Sequence, residues 1–297
     1  MNARKQMNAM KLKLAIPLFV ALAYGPAQGL AVPVLGSDLA SFAARRSSTL
    51  TNVPTSTVVG NVGVWSSGGA NAITGFNSSP GVAVSDPQVT GGMVHAGTTL
   101  AQSAQGQLTN AITSLGLMGT GTPLVNPDLS GLTLTPGVYT VHAGPSNLTG
   151  TLTLDGQNNA NAAWVFQMDS SLITSPGSAV NVINTGSGAG VFWDVRSSAT
   201  LDTTTSFQGN ILALTSIALN TGATMGCGGA FANTGQVAMA MNTIGIGCGG
   251  GLTVSELGGT PAFLPFVPVP EPETYAMMLA GLGLMGFIAR RRKQNAA

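Results

Sequence analysis

The side chains able to do covalent or proton-transfer chemistry are few and scattered. There are two cysteines, Cys227 and Cys248, in the near-identical settings Gly226-Cys227-Gly228-Gly229 and Gly247-Cys248-Gly249-Gly250. With no histidine near them they make a poor zinc site. The two histidines, His95 and His142, stand alone in the sequence. No serine sits in a Gly-x-Ser-x-Gly elbow, and a general base needs an orienting partner that no nearby carboxylate supplies. Asp155, Asp169, Asp194 and Asp202 occur singly beside Gly, Ser, Asn or Thr. Turn capping explains such aspartates better than the paired carboxylates of a glycosidase or the dense acidic cluster of a calcium site. The expectation is a protein that is not an enzyme and needs no metal or cofactor.

Composition narrows the partners. Between Val32 and Phe266 there is no lysine, and three arginines (Arg45, Arg46, Arg196) face eight carboxylates, leaving a net charge near −5. Nucleic-acid binding rests on clustered Lys and Arg and is not expected. The surface must be built from Thr, Ser, Asn, Gln, Gly and Ala. Apolar residues alternate with small polar ones, which points to an ordered β fold rather than disorder.

The positive charge is concentrated at the ends. Arg4, Lys5, Lys11 and Lys13 precede an apolar run from Leu14 to Tyr24 and the small residues Gly25, Ala27, Gly29 and Ala31. That order defines a secretory signal peptide, residues 1–31, with cleavage after Ala27 or Ala31. At the other end Pro270-Glu271-Pro272 is extended because its prolines forbid helix. An uncharged apolar helix follows from Tyr275 to Ala289, and then Arg290, Arg291, Arg292 and Lys293. The basic cluster should stay cytoplasmic while the helix lies in the membrane. This tail resembles the PEP-CTERM sorting signal. The resemblance implies recognition by an exosortase, transient inner-membrane anchoring and delivery to the cell surface or the extracellular matrix.

About 230 residues remain for one domain, residues 32–262, with 263–297 as linker plus sorting and membrane segment. Short strands dominate, among them Gly137 to Val141, Gly150 to Leu154, Ala163 to Gln167 and Val191 to Val195. A repeat appears later. Ser206-Phe207-Gln208, Thr224-Met225-Gly226 and Thr243-Ile244-Gly245 align at offsets of 18 and 19, and Ala199-Thr200-Leu201, Ile217-Ala218-Leu219 and Val237-Ala238-Met239 at 18 and 20. Periods near 20 favour stacked solenoid coils over a β-sandwich. One segment, about 95–118, instead carries Leu100, Ala104, Leu108, Ala111, Ile112 and Leu115 at helical spacing, with Thr98 or Thr99 at its start. Cys227 and Cys248 lie about one coil apart, so they either form a disulfide between neighbouring coils, which export permits, or remain two free thiols.

Val34 to Phe42, Leu132 to Tyr139, Ala163 to Gln167, Val191 to Val195 and Gly209 to Thr224 together resemble the ice-binding-like domain of bacterial, algal and fungal proteins. The resemblance implies a discontinuous right-handed β-solenoid of triangular cross-section with a long helix alongside, and adsorption to ice or its ordered water through one flat face. In that family the face often carries a Thr-Ala/Gly-x-Thr/Asn pattern. Thr221-Gly222-Ala223-Thr224 fits it, Ser197-Ser198-Ala199-Thr200 fits loosely, and Thr234-Gly235-Gln236-Val237 departs at its last position. Ser198, Thr200, Thr221 and Thr224 are therefore the ice-face candidates. The competing expectation is a matrix or adhesion protein that binds exopolysaccharide on the same scaffold.

Overall fold

The computed structural model describes residues 31–53, 55–65, 72–144, 146–255 and 262–263. The expected signal peptide, apart from Ala31, and the expected sorting tail, with Pro270, Glu271, Pro272, Arg290, Arg291 and Arg292, lie outside the described residues. Among the described residues no helix is long and apolar enough to cross a membrane.

Most of the described strands lie in three sheets of ten, eight and six strands, nearly all parallel, and successive segments contribute one short strand to each in turn. One coil is Gly190–Val195, Ala199–Leu201 and Ser206–Gln208, and the next is Asn210–Ala213, Ile217–Leu219 and Thr224–Cys227. The repeats seen in the sequence stack in register: Ser206 on Thr224 on Thr243, and Ala199 on Ile217 on Val237.

The stack is not built in chain order. Strand Phe42–Arg46 lies between Ala230–Ala232 and Asn61–Val64, parallel to both. The first coil therefore lies in the middle of the stack, and the chain builds outward to Val94–Ala96, the last parallel strand at one end, where the antiparallel strand Ala83–Val84 forms the edge. Helix α2, Thr99–Gly116, spans about 27 Å and carries the chain back along the ten-stranded sheet. From Thr122–Leu124 at the opposite end the coils then build inward until they meet the first ones. A short helix α1, Gly36–Ala40, precedes the first coil. It was not legible in the sequence.

Helix α2 begins where Thr98 accepts a hydrogen bond from the Ala101 N–H (3.2 Å), which satisfies one of the free donors of its first turn. It buries Ala101, Ala104, Leu108, Ala111, Ile112 and Leu115, so Ala101 rather than Leu100 begins the buried stripe. His95, placed by the sequence at the edge of the helix, belongs to strand Val94–Ala96.

The helix explains why the ten-stranded sheet reads differently from the others. Val165, Phe192, Leu212 and Phe231 pack toward α2, while Trp164, Phe166, Trp193 and Ile211 fill the interior of the stack. Strands buried on both faces become continuous apolar runs, as in Gly190–Val195, every residue of which is buried. In the interior Phe166 stacks on Trp193 with centroids 4.1 Å apart, and the Trp193 indole N–H donates to the Gln208 carbonyl. We call this the covered sheet. The other two sheets bury one face only, as the pattern in Ala199–Leu201 (buried, half-buried, buried) shows.

Candidate functional site

The two open faces differ. On the six-stranded narrow sheet the central outward row is Ile173, Thr200, Ala218, Ala238, Thr51 and Thr74. Hydroxyls are interrupted there by one isoleucine and two alanines. On the eight-stranded sheet the outward row is Thr151, Ala179, Ser206, Thr224, Thr243 and Thr57, and all but one are hydroxyl-bearing. Each of these side chains is exposed or half-buried. Adjacent strands lie about 4.8 Å apart, so the row repeats at that spacing for about 24 Å. Beside Thr224 and Thr243 the next outward positions are Gly226 and Gly245, which leave the surface level next to the row. We call this the threonine sheet.

The four sequence candidates do not share one face. Thr224 stands in the middle of the threonine row, and Thr221 is exposed at the corner that leads into it. Thr200 is on the narrow sheet, and Ser198 sits at the entrance to it, hydrogen-bonded to the Thr215 hydroxyl (2.6 Å). The quartets at 197–200 and 234–237 thus occupy a different corner of the coil from 221–224. A four-residue pattern records spacing but not the corner at which it falls. Thr57, Thr151, Ser206 and Thr243 were missed as site residues. The offset of 18 and 19 residues already aligned Ser206 and Thr243 with Thr224, but Thr57 joins the row only because the first coils dock onto the last.

The corner before the threonine row turns through left-handed residues. Gly177, Thr204, Gly222 and Met241 all have φ between 54° and 74°, each two positions ahead of a residue of the row. These corners also hold side-chain hydrogen bonds. Asp202 accepts from the Asn220 amide (3.0 Å) and from the Thr203 N–H (2.7 Å), which hold its pKa below the ordinary carboxylate value.

Cys227 and Cys248 are joined in a disulfide with Cα atoms 5.5 Å apart. It ties the end of strand Thr224–Cys227 to the segment where the chain leaves the stack. Asn210, which is buried, donates to the Gly247 and Cys248 carbonyls there (3.2 and 2.8 Å).

The remaining groups show no assembled reaction centre among the described residues. His95 is buried between Thr98 (3.1 Å) and Asn61 (3.3 Å), and desolvation lowers its pKa. His142 does meet a carboxylate: Asp169, 27 residues on, lies 2.7 Å away on the neighbouring coil. Coil stacking brings together a pair that sequence spacing separates. Both are exposed, and no hydroxyl or thiol is hydrogen-bonded to the other ring nitrogen. Asp128 accepts from Ser130 and Thr149, and Asp155 from the Gln157 N–H and the Asn184 amide, which are turn and coil-bridging contacts.

Residues 45–245 match the model of the ice-binding-like family, and residues 268–293 match the PEP-CTERM protein-sorting motif, which includes Pro270-Glu271-Pro272 and Arg290 to Arg292. A protein from Nostoc sp. (strain HG1) named "Ice-binding protein" is 36% identical over 268 residues, covering 90% of each chain. The crystal structure of an ice binding protein from an Antarctic Biological Consortium is 30% identical, covering 72% of this chain and 91% of that one, with a TM-score of 0.60. The DUF3494 domain of Shewanella frigidimarina ice-binding protein_1 is 26% identical, covering 74% and 99%, with a TM-score of 0.62. With its stacked parallel sheets, lateral helix and these matches, the chain belongs to the ice-binding-like family.

Proposed function

We propose that the chain is an exported protein that adsorbs to ice, or to the ordered water at its surface, through the outer face of the threonine sheet. The row from Thr151 to Thr57 carries this reading. A solid with a repeating lattice is matched by a surface that itself repeats, and parallel register fixes the spacing of these hydroxyls and methyls. Threonine presents both groups on a stem with restricted χ1, so little side-chain entropy is lost on adsorption. The narrow sheet is the weaker candidate because Ile173, Ala218 and Ala238 interrupt its row. The names of the relatives support ice as the ligand class, and they are names of binding proteins rather than enzymes.

In the same reading the three sheets close a right-handed solenoid of triangular section, since parallel β crossovers are right-handed in about 98% of cases. The sorting motif supports removal of the signal by signal peptidase, brief anchoring through the apolar helix and processing by an exosortase toward the cell surface.

Slow growth of ice from a solution of the secreted protein tests the ligand. Enrichment in the ice relative to a non-binding control protein is expected. Exclusion into the liquid would overturn ice as the ligand and leave a matrix polysaccharide as the partner of this face.

A further inference from the structure

The threonine row stands on a corner whose interior is polar. The residue just before each of its last five members points inward and is buried: Ser178, Thr205, Ala223, Asn242 and Ser56. Thr205 meets the Thr174 and Ser178 hydroxyls at 2.9 and 3.3 Å. Ala223 has no polar side chain to offer, and Asn242 reaches across to it.

Asn242 is 1% exposed. Its Oδ1 accepts from the Ala240 N–H (2.6 Å), and its Nδ2 donates to the Asn220 and Ala223 carbonyls (2.9 and 3.0 Å). Its backbone N–H donates to Ser56 Oγ (2.9 Å), and its carbonyl accepts from the Thr57 N–H (2.8 Å). One residue therefore binds three successive coils beside Thr224, Thr243 and Thr57.

The corner it fills differs from its neighbour in length. Leu219 pairs with Met239 and Thr224 with Thr243, so the corner from Met239 to Thr243 is one residue shorter than its neighbour. As at Gly177, Thr204 and Gly222, the residue two before the row is left-handed, and here it is Met241 at φ 54°, a conformation that costs energy in any residue but glycine. The bond from the Ala240 N–H to Asn242 Oδ1 spans that residue and holds it.

The geometry points to Asn242 as a positioning residue for the ice-adsorbing face: it keeps Thr243 in line with Thr224 on one side and Thr57 on the other. This inference rests on the reading of that face given above. A control separates alignment from stability. Asn210 is equally buried (2% exposed), and its amide donates to three carbonyls, of Val191, Gly247 and Cys248, at the corner away from the row.

The secreted, processed protein and its Asn242→Ala and Asn210→Ala variants are compared for thermal midpoint and for partition into slowly grown ice near 0 °C, with folding checked by circular dichroism. Both variants should lose thermal stability. Asn210→Ala should partition within twofold of wild type, while Asn242→Ala should fall about tenfold, the factor for one lost contact of ordinary hydrogen-bond strength. Wild-type partition by folded Asn242→Ala overturns the inference, as does an equal loss in both variants. If Asn242→Ala does not fold, Asn242→Asp serves instead, since it keeps the acceptor and removes both donations. Failure of the wild-type protein to enter ice removes the reading of the face itself, and no variant is needed to see it.

Discussion

Thr224 and Thr243 stand opposite one another on adjacent parallel strands, and Thr57, from the other end of the domain sequence, continues their row on the next strand. Crowding this row should abolish adsorption without unfolding the protein, because exposed substitutions usually change stability by less than about 0.5 kcal/mol. Thr224→Tyr and Thr243→Tyr are expected to lose most ice-recrystallisation inhibition at an unchanged thermal midpoint. Thr200→Tyr, on the narrow sheet, is expected to keep it. The reverse result would move the active face to the narrow sheet.

The disulfide closes a loop of 21 residues at the point where the chain leaves the stack. A crosslink of that size contributes about 3 kcal/mol, which for a domain of this length corresponds to a midpoint shift of about 6–12 °C. The secreted protein should show no titratable thiol until it is reduced. The Cys227→Ser, Cys248→Ser double variant should melt lower by that amount yet still inhibit recrystallisation in the cold.

Asp194 gives the fold an unusual pH dependence. Burial pushes its carboxyl up to about 6, against the pull of the Arg196 guanidinium 2.7 Å away. Its folded pKa lies above the unfolded value, so the ionised form burdens the folded state, and stability from this group rises as pH falls from 7 through 6 toward 4. The gain is at most about 3 kcal/mol by linkage, and solvent near the half-exposed arginine reduces it. Asp128, Asp155 and Asp202 act oppositely: their lowered pKa values mean that stability is lost as pH falls below about 4. Thermal melts should therefore show a maximum near pH 5, and Asp194→Asn should be more stable than wild type at pH 7 with a flatter profile between 5 and 7.

Arg45 is a buried cation beneath the helix. Its Nη2 donates to the Ala101 carbonyl (3.2 Å), while Nε and Nη1 have no partner among the described residues. Burial pushes its pKa down to about 9, so it remains charged at neutral pH at a cost in desolvation. Replacement by an apolar side chain of similar length should be neutral or stabilising. Arg45→Met is expected to melt at or above the wild-type temperature, whereas Arg45→Ala, which leaves a cavity against α2, should lose about 2–4 kcal/mol in denaturant titration.

Much of the scaffold was legible beforehand because a stacked fold writes its period into the chain. The offsets that aligned Ser206, Thr224 and Thr243 are the strand register itself. The helical spacing of Ala104, Leu108, Ala111, Ile112 and Leu115 marked α2 to within four residues at its start, where His95 belongs to a strand, and two at its end. The ice face was read only in part. The quartets ending at Thr200 and Thr224 look alike in sequence, yet one enters the narrow sheet and the other the threonine sheet, because a coil has three corners and a short pattern carries no phase around it.

By itself the sequence determined the class of molecule: a lysine-free β domain with stacked coils, one long amphipathic helix and a terminal segment of the sorting type. Its physical basis is local, since side-chain alternation, period and charge are properties of neighbouring residues. Tertiary structure alone decided where the stack is spliced, which sheet the helix hides, that Thr57 completes the row begun by Thr151, and that His142 meets Asp169. These depend on contacts between segments far apart in the chain. Such contacts are set by the docking of Phe42–Arg46 onto Ala230–Ala232, and no local pattern in either strand records its partner.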